Sequence, residues 1–304
     1  MLQWNTKKMK KILKLRRVFS IDIKKRPCSP ISLIYPYTKH SPAMNPTKTK
    51  IPYKLVPATL DDVDAIGDIA GDSFLDDTHT LMKAVWKGDN FHRQGSKESL
   101  TDLFCNPRVD IIVAREGPDG SGNVLGYIIW CKRGYPDNEQ AQTFATPTAS
   151  PTTASQTTFP PPPPPVQPAP SSSSLTVTEL EQTTNNAMIH YTDLLMPPGT
   201  KCRFIYGMSV APAYQSQGIG SALMKWGTDQ ADKDRVFCWV SSSMSGWPAY
   251  AKAGFAEVGR LELKLDDYAQ GVKRKLADAD GREMEEEWGI YVWRWMRRDP
   301  IVKE

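Results

Sequence analysis

Apolar and polar positions change period along this chain, and the changes mark its elements. Tyr53-Lys54-Leu55-Val56-Pro57 predicts a short first strand. From Leu60 to Phe74, the residues Leu60, Val63, Ile66, Ile69, Ala70 and Phe74 recur at helical spacing, with Thr59 as N-cap. Helices are also predicted over 78–86 and over 96–104, the second capped by Ser96. The runs 109–115 and 124–132 are strands joined by Pro118-Asp119-Gly120-Ser121-Gly122, so they form a hairpin. Further on, 187–195 is a short amphipathic piece, 203–210 a strand and 221–231 a helix. A strand (236–241), a short helix (247–252) and a strand (255–265) follow. Residues 266–286 are polar and charged. Trp288 to Met296 is a last strand, expected to pack Trp288, Ile290, Val292 and one of Trp293 or Trp295. This order predicts an α/β to α+β domain, a mixed sheet with helices on its faces.

Composition divides the chain further. Residues 135–186 are rich in Thr, Ser, Gln and Pro, with six consecutive prolines from Pro160 to Pro165. Such a stretch buries too little apolar surface to offset its ordering entropy, so a disordered insertion is expected, with polyproline II geometry in the proline run. A passive loop and a ligand for an SH3 or WW module are the two readings of it. The folded domain is then 51–134 plus 187–298, with a tail at 299–304. Residues 1–50 hold 13 Lys/Arg and one acid, Asp22, for a net +12. A chain total of +4 therefore leaves −8 on the remainder. The basic start is compatible with a mitochondrial presequence, a disordered tail, a membrane-surface helix, or translation upstream of a start at Met44. The acidic domain argues against binding nucleic acid and favours cationic acceptors such as amines.

Cys28, Cys105, Cys131, Cys202 and Cys238 are scattered and odd in number, and His40, His79, His92 and His190 lack ligand spacing. No metal site and no disulfide framework are expected. A reducing, intracellular and cytoplasmic setting follows, with a mitochondrial address left open by the leader. No apolar run reaches the ~20 residues of a membrane helix, so no integral membrane association is expected.

Chemistry concentrates at Gln215-Ser216-Gln217-Gly218-Ile219-Gly220, a glycine turn between a strand and a helix start. Backbone N–H groups converge there, no Cβ keeps a ligand away, and the helix dipole adds positive charge, so the turn is built for a phosphate. It is not a P-loop, because Ser221-Ala222 follows Gly220 where Lys-Ser/Thr is required. A dinucleotide fingerprint would place Gly or Ala at Leu223 and an acid near Cys238 to Ser241, and neither is present.

The spacing Gln215-x-x-Gly218-x-Gly220 resembles the acetyl-CoA loop of the GNAT acetyltransferase superfamily. The lead-in Val210-Ala211-Pro212-Ala213-Tyr214-Gln215 is similar to that family's Val-x-Pro-x-Tyr-Gln. Tyr250-Ala251-Lys252-Ala253-Gly254-Phe255 is similar to its Tyr-x-Lys-x-Gly-Phe, and Ser243-x-x-Gly246-x-Pro248 resembles a variant of fungal members. The close resemblance covers about 203–260. It implies a mostly antiparallel sheet that splays where the 203–210 strand leaves the 237–241 strand. It also implies acetyl-CoA as co-substrate. Gln215, Gln217, Gly218, Ile219, Gly220 and Ser221 would surround the pyrophosphate, Met208 and Val210 the pantetheine and thioester, and Ser243 and Lys252 would give further contacts. An amine, on a small molecule or a protein, would attack directly in a ternary complex. A backbone N–H near Val210 would meet the oxyanion, and Tyr250 would protonate the departing sulfur. No carboxylate or imidazole lies on 203–209, so the base is open, with Tyr206, Asp76 and Asp77 as candidates. Thioester hydrolysis or O-acyl transfer at the same site, and a degenerate CoA-binding module recruited through the proline-rich insertion, are the alternatives.

Overall fold

A computed structural model describes residues 50–136, 175–277 and 283–302. The basic leader and the proline run lie outside the described residues. The chain begins with β1 (Tyr53–Pro57), a 3-10 turn (Leu60–Asp62) and α1 (Val63–Ser73). Asp62 accepts the Thr59 N–H at 2.8 Å and pairs with Arg115, which pins the start of α1 to the sheet. Then come α2 (Thr78–Lys87), α3 (Phe91–Phe104), β2 (Val109–Glu116) and β3 (Val124–Arg133). The second half holds α4 (Val177–Leu195), β4 (Cys202–Val210), α5 (Ile219–Lys233), β5 (Cys238–Ser242), α6 (Trp247–Lys252) and β6 (Ala256–Lys264). A small hairpin, β7 (Arg274–Ala277) and β8 (Glu283–Glu286), precedes β9 (Ile290–Arg298).

Seven strands form one sheet in the order β1-β2-β3-β4-β5-β9-β6. Every neighbour pair is antiparallel except β4–β5. This is the mixed α/β, mostly antiparallel sheet that the sequence pattern and the resemblance predict. Helices α5 and α6 cover one face, where Ile219, Leu223, Met224 and Tyr250 join Trp130, Ile205 and Val240 in one core. On the other face, α1 and α3 cover β2 and β3 through Ile66, Ile69, Leu100 and Leu103. Beside them Met82 of α2 and Leu180, Tyr191 and Leu195 of α4 pack with Trp239, Tyr291 and Trp295.

Four expectations need correction. Helix α3 starts at Phe91 with Asn90 as N-cap, and Ser96 lies inside it, donating to the His92 carbonyl at 2.8 Å. The added turn is held against α1 by Arg93 on Asp72 (2.6 Å) and on Asp68 (3.5 Å), and Lys97 on Asp64 and Asp68 continues the contact, pairs that no local pattern announces. Helix α4 starts at Val177, so 177–186 are helical rather than part of the insertion. Thr176 and Glu179 form a capping box there, and Val177 and Leu180 are buried. Tyr135, also placed in the insertion, is buried with its hydroxyl on Asp234 at 2.7 Å. On β9, Ile290 is 56% exposed although Val292 and Met296, on the same face of the strand, are buried, as are Tyr291 and Trp295 on the other, with Trp293 half-buried.

The helical layer carries a pH dependence. Burial first, then the Lys83 charge, pushes His92 down to about 4 from 6.5. Between those values the unfolded chain binds a proton that the folded chain refuses, so stability falls as pH drops through this window. The loss should reach about 3 kcal/mol at pH 4. Buried His79 shifts in the same direction. Thermal melts from pH 7 to pH 4 check this, and His92→Gln should flatten the slope.

Candidate active site

The site starts where β4 and β5 part. These parallel strands share only three register pairs, Arg203↔Cys238, Phe204↔Trp239 and Ile205↔Val240. Strand β4 runs on to Val210, paired to β3 alone. A bulge marks the parting: Ile205 faces Trp130 and Gly207 faces Ile129, which leaves Tyr206 as the extra residue. Bulges bend and over-twist a strand, and this one lies where 206–210 lose their β5 partners. The inner edge of β4 is then a row of backbone groups with no strand beside it, suited to an extended amide-bearing ligand. At the closed end, Arg203 binds Asp234 through Nε (3.0 Å) and Nη2 (2.8 Å) and reaches Asp110 at 3.3 Å. That network holds the closed end of β4 to the end of α5.

The loop after Val210 leads back to a helix start. Ser216 has φ 65° and Gly218 φ 86°, and Gly218 is the N-cap of α5. The Ala222 N–H returns to the Gly218 carbonyl at 3.0 Å. The N–H groups of Ile219, Gly220 and Ser221 precede it, so they are first-turn donors without a carbonyl inside the helix. A Cβ at Gly218 would meet nothing within 4 Å, and one at Gly220 only Val210 Cγ2 at 3.6 Å. The turn therefore presents free donors and the positive end of a fifteen-residue helix to open space. The Ile219 side chain is buried beneath. The two glutamines brace the turn. Gln215 Nε2 donates to the Val210 carbonyl (3.1 Å), and Gln217 Oε1 accepts the Ile51 N–H (3.2 Å).

Tyr250 lies on α6 in the core that also holds Ile205, Val240 and, half-buried, Met208 and Val210. Its ring meets Phe255 edge to face at 5.8 Å. Burial first, then the neighbouring Tyr127, holds its proton well above the ordinary phenol value. Gly246 fits closely in the turn before α6, since a Cβ there would lie 3.2 Å from Ser242 Oγ, 3.3 Å from Ser243 Oγ and 3.4 Å from the Tyr250 ring. Ser243 Oγ accepts the Gly246 N–H at 3.3 Å, which orders this turn. Lys252 lies exposed on α6. Val210 thus links the three parts: its side chain lies 3.6 Å from where a Gly220 Cβ would sit and packs with Met208 against the core that holds Tyr250, and Ser243 lies in the turn before α6.

Two participants had no local signal. Ser73, at the end of α1, donates to the Val210 carbonyl at 3.2 Å across 137 residues. Tyr127 of β3 lies opposite Ser209, and burial pushes it up to about 12 despite the Ser209 hydroxyl. Of the base candidates, Tyr206 is likewise raised to about 12 by burial, with Ser99 hydrogen-bonded to it. Asp76 is exposed. Asp77 caps α2 through Thr80 and accepts the Tyr291 hydroxyl at 2.7 Å. Burial raises Cys131, Cys202 and Cys238 to about 11–12, which makes them poor nucleophiles. Among the described residues no group of three His, Cys, Asp or Glu is placed to hold a metal ion, and no helix is long and apolar enough to cross a membrane.

Residues 170–255 match the model of the acetyltransferase (GNAT) family. An acetyltransferase of Stachybotrys chartarum is 30% identical over 74 residues, which is 24% of this chain and 32% of that protein. The match thus spans about a third of that relative's length. Among solved structures, a histone acetyltransferase and related acetyltransferase from Corynebacterium glutamicum is 15% identical, with a TM-score of 0.44 over 83% of this chain and 99% of that one. The ribosomal-protein-S18-alanine N-acetyltransferase of Escherichia coli is 12% identical, with a TM-score of 0.38 over 83% and 97%. The family match covers α4, the parted β4–β5 pair, the glycine turn and α6, and so it is this part of the chain that is similar to the GNAT acetyltransferases.

Proposed function

We propose that this protein transfers an acetyl group from acetyl-CoA to an amine, with both bound at once. The observation that carries the reading is the parting of β4 from β5, with the first-turn donors of α5 following β4 and Tyr250 in the core against which Met208 and Val210 pack. Acetyl-CoA supplies the activated acyl group. The residues present fit it. The N–H groups of Ile219, Gly220 and Ser221, with the open Gly218, suit a diphosphate, because main-chain donors are pre-oriented and cannot titrate. The inner edge around Met208 to Val210 suits the pantetheine amides, and a main-chain N–H near Val210 would stabilise charge on the acyl oxygen. Tyr250 keeps its proton at neutral pH and would pass it to the departing sulfur. Ser243 and Lys252 remain candidate cofactor contacts.

The reading is tested on the full chain by thermal shift with acetyl-CoA and by thiol release with a panel of amines. Stabilisation plus amine-dependent release is expected. Release without an amine would instead indicate hydrolysis, and stabilisation without release a binding module. A β-branched residue at φ 86° is strained by about 1–2 kcal/mol. Gly218→Val should therefore distort the turn and weaken acetyl-CoA by about tenfold or more, with little change in the amine KM.

A further inference from the structure

The Val210 carbonyl takes two side-chain donors, Ser73 Oγ at 3.2 Å and Gln215 Nε2 at 3.1 Å. Its direction follows from the next residue. The Ala211 N–H donates to the Leu125 carbonyl of β3 at 2.9 Å. A trans peptide holds its N–H and C=O on opposite sides, so the Val210 carbonyl points away from β3, to the side that β5 has left. The peptide before it is turned the other way. The Ser209 carbonyl faces β3, where it would lie 2.9 Å from a Cβ on Gly126. The Val210 N–H, across that peptide, therefore also points away from β3. One residue presents a donor and an acceptor side by side on the unpartnered edge of β4.

The two groups are opposite in charge and do not suit the same ligand atom. Acyl transfer puts negative charge on the thioester oxygen, which an N–H stabilises and a carbonyl lone pair repels. Ser73 and Gln215 together occupy both lone pairs of the Val210 carbonyl, which leaves the N–H to dominate that edge. Gln215 does so from within the loop. Ser73 reaches in from the last residue of α1, 137 residues away. A nearer partner exists in its own helix, because helical hydroxyls commonly bond back to the carbonyl four residues earlier. Ser96, Ser99 and Thr101 of α3 do this, on His92, Gly95 and Lys97. Ser73 leaves its helix for β4.

We infer that Ser73 is a positioning residue for acetyl transfer: by holding the Val210 carbonyl it leaves the Val210 N–H to meet the oxygen that becomes negative. Its role rests on the acetyl-transfer function proposed above and adds to it a residue from the helical layer.

Selective isotope labelling of the full chain tests the contact without turnover. Val-Ala occurs twice in the sequence, at 113–114 and 210–211. With carbonyl-labelled valine and amide-labelled alanine, a carbonyl–amide correlation spectrum therefore shows these two pairs alone, and Val113 is an internal reference. Ser73→Ala should move the Val210 carbonyl signal and leave Val113 in place, whereas Ser73→Thr, which keeps the hydroxyl, should leave both. On the same proteins Ser73→Ala should lower kcat about five- to tenfold while acetyl-CoA affinity changes by less than about threefold, and Ser73→Thr should keep most of the rate. An unmoved Val210 signal, or a moved signal with unchanged kcat, would overturn the assignment. So would a loss of affinity as large as the loss of rate, which would make Ser73 a brace of the loop only. Alanine forms helix better than serine; if Ser73→Ala still fails to fold, Ser73→Cys, similar in size and a far weaker donor, repeats the comparison. Wild-type protein that is neither stabilised by acetyl-CoA nor releases thiol with any amine would refute acetyl transfer and with it the role of Ser73, while the labelled carbonyl would still report the contact.

Discussion

Tyr250→Phe is expected to lower kcat by about 10²- to 10⁴-fold while acetyl-CoA affinity changes by no more than a few-fold. The substitution removes one hydroxyl and keeps the ring. The edge-to-face contact with Phe255 and the packing against Ile205 and Val240 therefore persist, and a folding defect is not the cause of the loss. What disappears is the hydroxyl proposed to protonate the departing sulfur. The pH profile separates this role from packing. Burial and Tyr127 raise the Tyr250 proton above its ordinary value of 10.0, so the acid form dominates at every pH below about 10. The wild-type rate should rise as the acceptor ammonium deprotonates and should show no falling limb below that point. The variant should keep the same rising limb at a lower plateau. Steady-state kinetics from pH 6 to pH 10 would decide it, and a variant within about threefold of wild type would remove Tyr250 from the proton path.

Gly227→Ala should lower stability by about 2–4 kcal/mol, against the ordinary trend. In an exposed helix interior the same change stabilises by about 1 kcal/mol, because alanine forms helix better than glycine. Gly227 lies in α5 directly over Trp130 of β3, and a Cβ there would sit under 3 Å from several indole atoms. Trp130 is fully buried and packed against Leu223 and Met224, so it has no space to withdraw into, and overpacking outweighs propensity. For a domain of this size the melting temperature should fall by roughly 5–15 °C. The pair should also be coupled. Gly227→Ala with Trp130→Phe should be less destabilising than the two single losses added together, because the smaller ring vacates the overlap. Simple additivity in melts of the four proteins would place the strain elsewhere. The close approach also bears on function, since α5 carries the donor turn at its start.

The elements legible in the sequence were those whose instructions are local. Strands β2, β3 and β4 are each rich in β-branched or aromatic residues, and their bounds were read within a residue or two. The first turn of α5 was read two residues late, because Gly218 is its cap and Gly220 already lies inside it. The misses share one cause. Helix α4 was cut short because its first half, Val-Thr-Glu-Leu-Glu-Gln-Thr-Thr-Asn-Asn, looks as polar as the stretch before it. Two buried residues, Val177 and Leu180, are enough to dock it. The early start of α3 rests on ion pairs to α1. Ile290 was misplaced because an apolar residue at a strand end carries no sign of whether its face is still covered there: Val292, on the same face, is buried and Ile290 is not.

For the candidate site the division is similar. The glycine turn, the strand before it and the Tyr-x-Lys-x-Gly-Phe segment are contiguous words, and their chemistry follows from residue type and spacing. Positive φ demands glycine at Gly218, and an uncapped helix start offers its donors wherever it occurs. Ser73 on Val210, Tyr127 beside Tyr250 and Asp77 on Tyr291 are unions of residues from 123 to 214 positions apart. Side-chain contacts of that range arise from how two sheet faces are covered, not from any period along the chain. The amino-acid order thus specifies the donor turn and the strands around it. Which side chains of α1 and of the start of α2 meet β4 and β9 is decided by the tertiary packing, because contacts of that range are a property of folded distances.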